Sequence, residues 1–224
     1  MEDTRETAWF SPFQEASGTS DPTVLIVDDE ASIAEGYVAS IREEYDLLTA
    51  TSRRSATELL DSRVDVALVG RRLPDGRGEA VLKRIREQEL ECRVALLSAA
   101  EPTTDGSKSG FDAHLCKPVT EAELHETVEA LLRRSEYDSC MREYFALLSR
   151  QAALQTERSK MDLAASAEYQ RLTERVVQLR TRSRQILDTF DRRDFRAAFQ
   201  DISDDTTDAA DSSDARERSE EIDD

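Results

Sequence analysis

Lysine is nearly missing from this chain: Lys83, Lys108, Lys117 and Lys160 are the whole complement, beside 26 arginines. Positive charge is outweighed altogether, with 30 basic against 48 acidic residues and a net charge of −18. Such a molecule repels nucleic acid and anionic membranes as a whole, so any local reversal of sign is informative. Cysteine is equally sparse. Cys92, Cys116 and Cys140 have no paired spacing, which excludes a disulfide scaffold and fits a reducing cytoplasm. No apolar run approaches the ~20 residues of a membrane span, so no membrane role is expected. Residues 1–22 are acidic and polar apart from Trp9, Phe10 and Phe13, lack the apolar core of a signal peptide, and read as a disordered extension. Glycine and proline are absent from residues 135–200, which leaves no turn signal there and only helical periodicity.

Between residues 23 and 134 short apolar runs alternate with amphipathic stretches. Strands are expected at 24–27, 45–50, 65–69, 93–97 and 111–116, and helices at 33–41, after an N-cap at Ser52, at 79–88, and from a cap at Thr120 through Leu132. Residues 103–110 read as weakly helical. Five strands interleaved with helices predict an α/β fold, a doubly wound parallel sheet covered on both faces. Such sheets place ligands outside the carboxyl ends of their strands. The unusual polar residues lie there. Asp28 and Asp29 end the first strand and suit a hard divalent cation that shares a phosphate ligand. Ser98 and Lys117 end two others and offer a hydroxyl and an ammonium to phosphoryl oxygens. Pro118 after Lys117 suggests a constrained turn with a cis peptide. Asp65 and Asp75 sit at the wrong places in the pattern to join them, and neither His125 nor the set His114, Cys116 and Cys92 has ligand spacing; His125 reads as a surface residue. No nucleophile and base pair is present, so an enzyme with turnover is not expected.

From residue 135 two apolar stripes follow, Tyr137, Cys140, Tyr144, Leu147, Leu154 and then Tyr169, Leu172, Val176, Leu179, Ser183, Ile186, Phe190. They predict a helical hairpin or coiled coil over 135–200, turning near residues 158–162. This is the only net-positive stretch. Arg171, Arg175, Arg180, Arg182, Arg184, Arg192, Arg193 and Arg196 make a candidate nucleic-acid face, set against a plain solvated face. Residues 201–224 hold eleven acidic residues against Arg216 and Arg218 and read as a disordered tail.

The order and spacing of residues 24–30 (VLIVDDE), Arg71-Arg72-Leu73-Pro74 with Gly78, Leu96-Leu97-Ser98-Ala99 and Lys117-Pro118 resemble the receiver domain of two-component response regulators, a flavodoxin-like fold. The resemblance implies a magnesium site at Asp28, Asp29 and the Arg72 carbonyl, a switch hydroxyl at Ser98, a switch residue at His114 and a phosphate-contacting lysine at Lys117. It places the phosphoacceptor aspartate at position 70, where this chain has Gly70. Weak or absent magnesium binding follows as an expectation. The helices after residue 135 resemble the HalX domain of haloarchaeal regulators, most clearly over residues 137–154, and the acidic, lysine-poor composition resembles proteins of salt-loving archaea. The resulting expectation is an atypical, cytoplasmic response regulator independent of phosphorylation at Gly70. It would act through protein contacts, with a sensor kinase, a downstream regulator or a second copy as partner. The alternatives are a conventional regulator with another acceptor and a DNA-associated transcriptional regulator.

Overall fold

The computed structural model describes residues 21–99 and 110–190; the readings of residues 1–20, 100–109 and 201–224, and of Arg192, Arg193 and Arg196, lie outside them. Five parallel strands form the central sheet: β1 (Thr23–Val27), β2 (Asp46–Ala50), β3 (Val64–Gly70), β6 (Arg93–Ser98) and β7 (Ala113–Cys116), in the order β2-β1-β3-β6-β7. Chain order reverses between β1 and β3, which opens a crevice at their carboxyl ends. Two short strands the sequence pattern does not announce, β4 (Arg72–Leu73) and β5 (Gly76–Arg77), pair antiparallel directly beyond β3.

Alternation along the strands builds two cores. Val24, Ile26, Val66, Leu68, Ala95 and Leu97 face α1 (Ala31–Ile41) and the long α4 (Glu121–Glu157) through Tyr37, Ile41, Leu124, Val128 and Leu131. Leu25, Val27, Ala67, Val69 and Val94 face α2 (Arg53–Leu59) and α3 (Glu79–Glu87) through Ala56, Val81, Leu82 and Ile85. With both faces covered, the strands need apolar residues at every position, hence their continuous β-branched runs. The expected caps form. Ser52 Oγ accepts from Ser55 N at 3.1 Å, and Thr120 Oγ1 accepts from Glu123 N at 3.3 Å while Glu123 returns a bond to Thr120 N at 2.9 Å. Asp75, at the β4–β5 turn, adds a second cap to α2 by accepting from Arg53 N and Arg54 N at 2.7 and 2.9 Å. His125 is not a free surface residue: its ring packs into α1, with Nε2 3.2 Å from the Ser40 carbonyl and Nδ1 3.6 Å from Glu44.

The expected end of the last sheet-packing helix at Leu132 does not occur, because α4 runs unbroken to Glu157, about 55 Å. No glycine or proline interrupts it, and backbone hydrogen bonding is indifferent to which side is apolar. What changes near residue 132 is the side. Leu131 to Cys140 is nine residues, about two and a half turns, so the sheet-facing stripe and the second stripe lie on opposite sides of one helix. The second stripe packs antiparallel on α6 (Ala167–Asp188), after a turn carrying the short α5 (Lys160–Ala165). Cys140, Leu179, Ile186 and Phe190 form the seam, with Tyr137 edge-on to Phe190 at 5.5 Å between ring centres. Where α4 leaves the sheet it is clamped by charge. Arg93 joins Asp112 at 2.6 Å and also Asp138, Arg134 donates to the Asp112 carbonyl at 3.0 Å, and Arg142 meets Glu91 at 2.6 Å.

Gly78, before α3, is required by close approach: a Cβ there would lie 2.5 Å from the Gly70 carbonyl oxygen and 3.0 Å from Val69 Cγ1. Gly78→Ala is expected to destabilise the fold by about 2 kcal/mol, read from the urea midpoint at unchanged m, because neither β3 backbone nor a core valine can yield without strain.

Candidate phosphate pocket at the sheet's carboxyl edge

Four strand ends converge on the β1/β3 crevice. Main-chain bonds carry the ladders just past the strands and hold the pocket residues: Asp28 N to the Ala50 carbonyl at 3.1 Å, Arg71 N to Leu97 at 2.8 Å, and Lys117 N to Ser98 at 2.8 Å. The Lys117–Pro118 peptide is cis. Asp28 is fully buried, Ser98 is 4% exposed, and Asp29 faces solvent. The two adjacent carboxylates therefore have unlike surroundings. Asp28 Oδ2 forms an ion pair with the Lys117 ammonium, and Oδ1 accepts from Glu30 N at 3.1 Å. Lys117 is itself 19% exposed, so the pair sits at low dielectric, where its Coulomb attraction has to offset the desolvation of both charges.

Gly70 closes β3 beside them, buried and in an ordinary backbone conformation. A Cβ built on it would meet the Val27 carbonyl at 3.2 Å, the Arg72 carbonyl at 3.6 Å and Asp28 Cα at 3.7 Å. Position 70 thus faces the pocket, and the Arg72 carbonyl lies on its rim. Asp65 and Asp75 lie outside the pocket. Asp65 accepts from Thr23 N at 2.8 Å at the amino ends of the strands, and Asp75 caps α2. At the positions the resemblance assigns to a cation, one carboxylate is paired with lysine, one faces solvent, and position 70 is glycine. No group of three or more His, Cys, Asp or Glu side chains is placed so that it could hold a metal ion among the described residues.

His114 lies on β7 opposite Leu96, half-buried, and its Nε2 has no hydrogen-bond partner among the described residues. Burial, reinforced by the nearby Arg71 charge, holds its pKa below the usual 6.5. Tyr37, which sequence reasoning passed over as core, approaches the same pocket. Its hydroxyl is pushed up in pKa first by burial and then by the Asp28 charge, and it bonds to the Val119 backbone. Only its helical spacing showed in the sequence, and that said core. Of the arginines, Arg175 and Arg182 are engaged by Glu143 and Glu136 of α4. Arg171, Arg180 and Arg184 are exposed, with no ion pair among the described residues.

The 2-1-3 strand order carries an aspartate, a hydroxyl and a lysine at its carboxyl edge. Residues 24–129 match the response regulator receiver domain family, and residues 133–199 match the HalX domain, so the chain joins the two. A Haloferax volcanii protein named as a transcriptional regulator is 45% identical over 152 residues, 67% of this chain and 26% of its own length. That alignment is longer than the receiver match and must extend beyond it. The alkaline phosphatase synthesis transcriptional regulatory protein PhoP of Bacillus subtilis is 32% identical over 118 residues, 50% of this chain and 49% of that protein. The chain thus spans about half or less of the length of these relatives. Among solved structures, the signal receiver domain of an HD domain-containing protein from Pseudomonas fluorescens Pf-5 covers 56% of this chain and 97% of its own at 26% identity, with a TM-score of 0.49. Among the described residues no helix is long and apolar enough to cross a membrane.

Two measurements probe the pocket. Lys117→Ala leaves Asp28 buried and unpaired and is expected to cost about 3 kcal/mol in chemical denaturation, most of it recovered when Asp28→Asn is added. His114 resists protonation in the folded chain but accepts a proton near pH ~6.5 when unfolded, so acid favours the unfolded state. Wild-type stability should fall more steeply than that of His114→Phe between about pH 7.5 and about pH 5.5, and parallel profiles would refute the assignment.

Proposed function

We propose that this chain is a pseudo-receiver: a response regulator that works in the cytoplasm without phosphoryl transfer at position 70 and passes its signal by protein contacts of the helices after the sheet. The observation that carries the reading is Gly70, a residue without a nucleophile facing a pocket whose buried carboxylate is already neutralised by Lys117. In a receiver with three carboxylates the lysine offsets mutual repulsion and a cation is welcome. With Asp28 and Asp29 alone, magnesium binding is weak. Ser98, Lys117 and His114 then serve as the polar frame of the pocket rather than as reporters of a phosphate. A sensor kinase or a downstream regulator is the partner, and no turnover chemistry is assigned.

Association with DNA is a second reading, supported by relatives named as transcriptional regulators. It is weakened by the loss of Arg175 and Arg182 to intramolecular ion pairs, which leaves Arg180 and Arg184 as the adjacent free charges on α6.

Incubation with acetyl phosphate and magnesium, followed by intact mass, tests the main reading. Wild type is expected to stay unlabelled, and a stoichiometric acid-labile adduct on it would overturn the proposal. Gly70→Asp is expected to gain one such adduct, since position 70 needs only a few tenths of an ångström of relief at the Val27 carbonyl.

A further inference from the structure

The α4–α6 hairpin has two unlike sides. In an antiparallel pair the residue just before each seam position falls on one side and the residue just after it on the other. Glu143 and Arg175 precede the seam residues Tyr144 and Val176, and they are ion-paired at 2.8 Å; Glu136–Arg182 and Arg150–Glu168 continue a ladder of charge along that side. Phe145 and Val177 follow the same seam residues, and they are 58% and 59% exposed. Met141, Leu148 and Ala152 extend Phe145 into a stripe with 4,3,4 spacing on α4. Apart from Met161 at the hairpin tip, Phe145 and Val177 are the large hydrophobic residues most open to solvent among the described residues.

We infer that this side is the seat of a second copy of the chain, packed face to face and antiparallel as a four-helix bundle. The inference rests on the reading of these helices as the output surface and names their partner. The middle of the face, Met141, Phe145, Leu148 and Val177, is apolar, and its cations, Arg180 and Arg184, lie on the receiver side of Val177, so an antiparallel image sets apolar centre on apolar centre and keeps the two sets of arginines to opposite halves. The size is adequate. A face about 33 Å long, from the 22 residues of α6, and about 20 Å wide buries roughly 1,300 Å² over two copies, above the ~1,000 Å² that a specific interface needs. Direction follows from charge. The receiver part is strongly acidic, and an antiparallel arrangement sends the two receivers to opposite ends.

The test is the solution mass of the full-length chain by light scattering after gel filtration, without phosphodonor, at micromolar protein and in molar potassium chloride to screen receiver repulsion. Wild type is expected at twice the 25.3 kDa chain mass. Phe145→Glu and Val177→Glu should each return it to the single mass with helical circular dichroism unchanged, while Glu143→Gln on the ladder side stays doubled. In a Cys116→Ser background, Phe145→Cys should form a disulfide-linked pair on oxidation and Glu143→Cys should not. A wild type at single mass, a doubled Phe145→Glu, or cross-linking through position 143 instead of 145 would overturn the inference. Acetyl phosphate labelling of wild type would overturn the acceptor-free reading and leave these masses standing; a monomeric wild type would do the reverse.

Discussion

One unbroken helix serves two cores on opposite sides, and the shape of the molecule follows from that constraint. The first third of α4 turns Leu124, Val128 and Leu131 into the sheet, and the remainder turns Cys140, Tyr144 and Leu147 away from it toward α6. An α-helix cannot bend sharply without a break in its hydrogen bonding, and nothing in residues 121–157 provides one. The hairpin therefore projects from the sheet edge at an orientation set by the helix axis. The Asp112 cluster, with Arg86, Arg93 and Arg134 around it and Arg93 reaching Asp138, stiffens the point of departure.

The pocket at the carboxyl edge of the sheet is organised around one buried ion pair. Asp28 and Lys117 close on one another as a buried pair, Asp29 turns to solvent, and Gly70 and Gly78 stack so closely that no side chain fits at Gly78. This arrangement is a stable electrostatic resting state.

Much of this was legible in the sequence, for identifiable reasons. The β-branched runs at 24–27, 64–69 and 93–97 could only be buried strands, Ser52 and Thr120 were readable as caps, and the polar residues at strand ends were readable as a site because open parallel sheets have one chemically active edge. The end of α4 was misjudged at Leu132 because a half-turn change in the apolar phase looks like the end of a helix when only the pattern is visible. Tyr37 was hidden by its position in a helical stripe, and the β4–β5 hairpin by being two residues per strand. His125 looked solitary because its partners, Ser40 and Glu44, are some eighty residues away.

Composition and pattern determined the class of fold and the location of the polar residues at the strand ends, since each depends on local residue type and on strand and helix periods that survive in one dimension. Tertiary structure alone decided which charges meet. Lys117 takes Asp28 and leaves Asp29 to water; Glu143 and Glu136 take Arg175 and Arg182 and leave Arg180 and Arg184; and the same antiparallel packing gathers Phe145 and Val177 on one open side. Those outcomes depend on distances between residues far apart in the chain, and Coulomb and packing energies act over ångströms in space rather than along the sequence.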